Sequence, residues 1–98
     1  MSDYESRARL FRALGHPARL QILDILAVGP CCVHVLIQRT GCRQPYVSQQ
    51  LAVLREAGLV VAEREGIKVR YRLASPDVRR LLQNESDWGE VSHADPRL

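Results

Sequence analysis

Between Leu59 and Leu73 the hydrophobic period of this chain drops from 3.6 residues to 2. Ile67, Val69, Tyr71 and Leu73 alternate with Lys68, Arg70 and Arg72, the pattern of a strand with one buried face. Leu59 to Glu65 reads as its partner strand, and Glu65-Gly66 as the turn of a hairpin. Upstream of Leu59, glycine and proline cut the chain into short helical pieces, so the hairpin must close against small helices rather than a large sheet.

Four such pieces precede the hairpin. Ser2 and Glu5 have capping-box spacing, and the helix they open is expected to bury Tyr4, Ala8, Phe11 and Leu14 before Gly15 ends it. Pro17 suits the first turn of a second helix, whose wide apolar face carries Leu20, Ile22, Leu23, Ile25 and Leu26. Gly29-Pro30 stops it. A third helix is expected from about Cys31 to Arg39, because Val33, Leu36 and Ile37 recur at helical spacing, and Gly41 ends it. Pro45 opens a fourth, with Val47, Leu51 and Leu54 inward and Ser48, Gln49 and Arg55 outward; Gly58 is its stop. After the hairpin, Ser75-Pro76-Asp77 begins a last helix bearing Val78, Leu81 and Leu82. The expected order is helix–helix–helix–helix–strand–strand–helix: one mainly α domain over residues 1–84, with a loosely ordered tail over 85–98.

Composition narrows the class. At 98 residues and 46% apolar content the chain is one globular domain, small enough to gain from a partner. A net charge of +3 and a pI of ≈ 9.1 lean toward an anionic partner. Cys31, Cys32 and Cys42 are an odd count with two adjacent, which is no secreted disulfide framework. The start, Met1-Ser2-Asp3-Tyr4-Glu5, has no basic-then-apolar leader, and no apolar run is long enough for a bilayer. A cytoplasmic protein with reduced thiols and no membrane partner is expected. Paired catalytic carboxylates, a nucleophile–base pattern and a glycine-rich phosphate loop are all missing from the sequence, which argues against an enzyme.

The third and fourth helices, joined by a tight turn at Gly41, have helix-turn-helix proportions. The fourth offers Gln44, Tyr46, Ser48, Gln49 and Gln50 near its N-terminus. Their amides and hydroxyls are the groups that read base edges in the major groove of double-stranded DNA. The hairpin adds Arg64, Lys68 and Arg70 for the phosphate backbone. Any one of these residues could be merely solvated; the helix pair, polar reader and basic hairpin together point to DNA.

These segments resemble the ArsR/SmtB family of winged-helix repressors. Leu10-Phe11-Arg12-Ala13-Leu14-Gly15-His16-Pro17-Ala18-Arg19-Leu20-Gln21-Ile22-Leu23 is similar to the family's opening signature. Gln44-Pro45-Tyr46-Val47-Ser48-Gln49-Gln50-Leu51 is similar to its recognition helix, and Leu54-Arg55-Glu56-Ala57-Gly58-Leu59-Val60 to the approach to its wing. The resemblance spans roughly Tyr4 to Leu82. It implies a winged helix-turn-helix fold and a homodimer built from the first and last helices. It also implies a pseudo-palindromic operator and repression that an inducer relieves. Tyr4, Phe11, Val78, Leu81 and Trp88 are then the residues expected at the dimer contact.

The resemblance also points to Cys31-Cys32-Val33-His34-Val35-Leu36, where family members that sense soft metals or arsenite often carry Leu-Cys-Val-Cys-Asp-Leu. Cys32 matches the first family cysteine, His34 replaces the second, and Cys31 stands where an apolar residue is usual. Thiolate with imidazole suits zinc, cadmium or copper as well as arsenite. In a regular helix Cys31 and His34, three apart, share a face, whereas Cys32 and His34 do not. A helix N-terminus would also lower the thiol pKa values. The plainer reading makes Cys32 a small core residue and His34 a surface one. Cys42 reads as a small hydrophobe under the recognition helix. It lies on the order of 15 Å from Cys31 along an intervening helix, beyond disulfide reach. A second family site, of carboxylates and histidines on the last helix, lacks its histidine at Asp77-Val78-Arg79 and is expected to be absent. His93 and Asp95 read as solvated, and His16 as structural.

Three functions remain open at this point: a repressor released by metal or arsenite at Cys31, Cys32 and His34; the same repressor released by redox or sulfide chemistry of its thiols; and a protein-interaction module that uses the fold without DNA. Metal added at fully reduced thiol separates the first two. A steep salt dependence separates both from the third.

Overall fold

The computed structural model describes residues 3–83. Ser2 of the capping box and the tail with Trp88, His93 and Asp95 lie outside the described residues. Within them the order is α1 (Asp3–Leu14), α2 (Pro17–Val28), β1 (Cys31–Cys32), α3 (Val33–Thr40), α4 (Gln44–Glu56), β2 (Val60–Glu65) and β3 (Lys68–Leu73), followed by α5 over residues 76–83.

The three strands form an antiparallel sheet in the order β1-β3-β2. In the hairpin, Glu65 pairs with Lys68 around Gly66-Ile67, so the loop sits one residue later than Glu65-Gly66. Gly66 has φ 63° and no non-glycine residue has positive φ; this is the type II′ pattern, whose twist suits a two-residue hairpin. Ile67, expected on the buried face, therefore rides at the tip, 95% exposed. Val69, Tyr71 and Leu73 are inward, as their alternation requires.

The core joins Ile22, Leu23 and Leu26 of α2 to Leu36 of α3 and to Val47, Leu51 and Leu54 of α4. Leu59, Val60 and Leu73 close it from the sheet, and Val78 and Leu82 from α5. These are the inward stripes expected from the 3.6-residue period. Full burial of such a side chain contributes about 2 kcal/mol. Three expectations fail in α1. Its buried residue is Ala13, with Leu10 and Leu14 packed beside it, while Tyr4 and Phe11 are 77% and 57% exposed. Ala8 is exposed too. The inward stripe is 10, 13 and 14, and Phe11 falls one position outside it.

The segment after α2 also departs from expectation. Cys31 and Cys32 are not the first turn of a helix but a strand, paired with Tyr71 and Arg70. Helix α3 starts only at Val33, with Cys32 as its extended N-cap residue. Its far end is as expected: Gly41 takes the left-handed conformation (φ 71°) and its N–H bonds Ile37 O. Cys42 follows half-buried against the core, its N–H held by Thr40 Oγ1 at 3.2 Å.

Candidate nucleic-acid interface

Helix α4 begins at Gln44 with Pro45 in its first turn and Arg43 as an extended N-cap, so its first N–H groups have no cap side chain and face outward. The buried stripe 47, 50, 51, 54 pins one side. Gln44, Tyr46, Ser48 and Gln49 occupy the other and are exposed. Gln50 is a correction. It is 6% exposed, and its Oε1 accepts from Arg19 Nε at 2.8 Å. It sits on the apolar stripe, at i+3 from Val47, and cannot reach a base. Tyr46 stays at the surface, but its hydroxyl lies 3.3 Å from His16 Nε2.

On the wing, Arg64 and Lys68 are exposed and have no ion-pair partner among the described residues. Arg70 is partly matched: its guanidinium stands 3.5 Å from Glu65 and 3.5 Å from the Pro30 carbonyl. Arg72 pairs with Glu63 across β2 and β3. The free cations of the wing are thus concentrated beside its loop.

An open cleft of ≈ 510 Å³ lies between the reader and the wing. Gln44 and Ser48 of α4 form one wall, and Lys68 and Tyr71 of the hairpin the other. Cys32 and His34 form its floor toward α3. The expected sensing stretch and the expected DNA-reading residues thus border the same space.

That stretch is not arranged as expected. In a strand, neighbouring side chains point to opposite faces. Cys31 packs against the core, as does its cross-strand neighbour Tyr71, which also borders the cleft, while Cys32 borders the cleft. Cys31 and His34 are therefore not a helical i, i+3 pair. Nor is the Cys31 thiol activated: burial pushes its pKa up, the neighbouring Cys32 thiol adds to that, and the more distant Arg39 and Arg70 only partly oppose it. Among the described residues, no three His, Cys, Asp or Glu side chains come together as a metal site. The residues present thus offer an ion a single thiol and imidazole, Cys32 and His34, at one cleft.

At the expected dimer contact, Tyr4 and Phe11 are on the surface and Leu81 is half-buried. Val78 is a second correction: at 7% exposure it belongs to the core of its own chain. No helix among the described residues is long and apolar enough to cross a membrane.

Comparison with known proteins agrees with this geometry. The profile of the bacterial regulatory protein, arsR family, matches residues 16–61. The HTH-type transcriptional regulator Rv0081 of Mycobacterium tuberculosis is 41% identical over 80 residues, 81% of this chain and 70% of that protein. Its crystal structure superposes with a TM-score of 0.91 over 97% of this chain and 96% of that one, at 35% identity. The biofilm growth-associated repressor of Agrobacterium fabrum is 46% identical over 78% of this chain and 65% of its own length. A homodimeric winged helix-turn-helix DNA-binding domain from Mycobacterium bovis, solved by NMR, gives a TM-score of 0.86 at 36% identity, covering 95% of this chain and 93% of that one. With a winged helix-turn-helix fold and relatives that are transcription regulators rather than enzymes, this chain belongs to the ArsR family of bacterial regulatory proteins.

Proposed function

We propose that this chain is a transcriptional repressor that works as a homodimer on operator DNA. In each protomer α4 enters a major groove and the wing lies along the neighbouring backbone. The observation that carries this reading is the exposed polar pair Gln44 and Ser48, facing Lys68 across one cleft, with Gln49 exposed beside them. Gln49 and Gln44 bring amides for base edges, Ser48 a hydroxyl, and Arg64 and Lys68 the phosphate contacts.

Mobility shifts with promoter fragments test it. Gln49→Ala is expected to lower discrimination between sequences by about 1–3 kcal/mol. Arg64→Ala and Lys68→Ala are each expected to weaken all sequences alike and to reduce the salt slope by about 1. A parent protein that holds no fragment, or holds it equally at every salt concentration, would end the DNA reading and favour a protein-interaction module.

For release, the position of Cys32 supports an effector that reacts with or binds that thiol. Bulk attached there would occupy the cleft between reader and wing. Zinc, cadmium, copper or arsenite at Cys32 and His34 is the metal form of this reading. Two donors fall short of the four that zinc takes, so it requires donors from the second protomer. The thiol-chemical form needs Cys32 alone. N-ethylmaleimide adds the Cys32 sulfur to its double bond and the proton to the adjacent carbon. It is expected to abolish DNA binding in the parent and to spare Cys32→Ser. Loss of DNA binding on adding metal alone, at reduced thiol, would favour the metal form.

A further inference from the structure

We propose that His16 and Arg19, on the first turn of α2, are positioning residues that set the pose of the recognition helix, and that Arg19 ties this pose to α1. The inference rests on the reading of α4 as the DNA reader.

His16 is the N-cap of α2, with extended backbone, and its Nδ1 accepts the Ala18 N–H at 3.3 Å. A neutral imidazole that accepts at Nδ1 carries its proton on Nε2. The 3.3 Å contact is therefore an Nε2–H donating to Tyr46 Oη. The tyrosine hydroxyl keeps its own proton, which it can donate outward from the exposed first turn of α4. One turn further along both helices, Arg19 Nε donates to Gln50 Oε1 at 2.8 Å. Tyr46 and Gln50 are four apart on α4, and His16 and Arg19 three apart at the start of α2, so the two bonds stack as successive rungs. A single hydrogen bond between two helices is a pivot; two rungs a turn apart also fix rotation about the helix axis. That rotation decides which of Ser48, Gln49 and Tyr46 meets a base edge.

The guanidinium has a second attachment. Arg19 Nη1 reaches the carbonyls of Arg12 at 3.2 Å and Ala13 at 3.5 Å. These belong to the last turn of α1, where a cation is favoured, and Arg12 O also accepts the Gly15 N–H at 3.3 Å. One planar fork thus spans the end of α1 and the middle of α4, which lysine, with a single nitrogen, cannot do. Gln50 is the buried polar side chain of the described residues, and Arg19 is its partner. An apolar residue would satisfy packing at that point, so the amide's role is to hold the fork.

The test compares Arg19→Lys, Gln50→Met, Gln50→Glu and Tyr46→Phe with the parent. The probes are a 30-base-pair duplex that the parent selects from a random pool and an unselected duplex of equal length. Arg19→Lys and Gln50→Met are expected to lose about ten-fold in the ratio of the two affinities, with the salt slope unchanged. Gln50→Glu keeps both the shape and an acceptor oxygen and is expected to retain the ratio, whereas a purely steric role for Gln50 predicts that Gln50→Met, of similar length, retains it too. Tyr46→Phe is expected to lose discrimination while keeping thermal stability close to the parent's. Amide hydrogen exchange supplies a readout without DNA: Arg19→Lys is expected to speed exchange in the last turn of α1 and in the first two turns of α4 together. A parent-like affinity ratio in both Arg19→Lys and Gln50→Met, or exchange that rises in α1 alone, overturns the proposal. If the parent selects no sequence, the DNA reading fails, and the exchange pattern still decides the clamp.

Discussion

Cys31 and Cys32 are neighbours in sequence that meet different surroundings. Strand geometry sends one thiol to the core and the other to the cleft. Burial raises the Cys31 pKa, which means folding favours its neutral form. Its contribution to stability is therefore complete below the unfolded thiol value and falls away as pH rises through the higher folded one. Thermal or urea unfolding above about pH 8.5 is expected to show stability declining with pH, and Cys31→Val is expected to flatten that decline. Mass spectrometry after brief alkylation of native protein is expected to find Cys32 modified before Cys31; the reverse order would contradict the assignment of faces. Gln50 teaches the same lesson about phase. Positions 47, 50, 51 and 54 are spaced i, i+3, i+4 and i+7, so helical phase alone marks Gln50 as inward. Its polarity suggested a base contact instead. The polar side chain on an apolar stripe was the available signal for a buried hydrogen-bond partner.

At the scale of elements, long periodic stretches were readable and short ones were not. The stripes of α2 and α4 emerged at their true positions because each repeats over three turns. The β-hairpin emerged because six residues alternate. β1 has two residues, and two residues have no period. Only their pairing with Tyr71 and Arg70, about 40 positions away, makes them a strand, and local sequence does not carry that information. The cleft was illegible for the same reason, since its walls come from three separate segments. Turns fared better where glycine chemistry is decisive. Gly41 sits at φ 71° with nothing within 4 Å of where a Cβ would stand. Gly41→Ala is therefore expected to cost about 1–2 kcal/mol from backbone conformation alone, read as a lower unfolding midpoint. Gly41→Asn, which tolerates the left-handed region better, is expected to recover part of it. Equal losses in the two variants would mean that the turn is held by something other than φ.

For the molecule as a whole, the remaining question is what covers the outer face of α1. Phe11, Leu14, Leu20, Leu81 and Leu82 border an apolar hollow of ≈ 230 Å³, and Tyr4 stands further along the same helix with Arg7 over its ring. A domain of this size gains from burying such a surface against another copy, and its relative from Mycobacterium bovis is homodimeric. If α1 is the contact, two recognition helices are held at a fixed spacing and the second half-site binds at high effective concentration. Phe11→Arg puts a charge on that face without entering the core of the single chain. Sedimentation is expected to give a two-chain mass for the parent and a one-chain mass for Phe11→Arg. Affinity for a duplex with two half-sites is expected to fall by about 10²-fold or more, while affinity for an isolated half-site changes little. A variant that remains a dimer would move the contact away from α1. A monomeric variant that still binds the two-site duplex as tightly as the parent would remove dimerisation from the mechanism altogether.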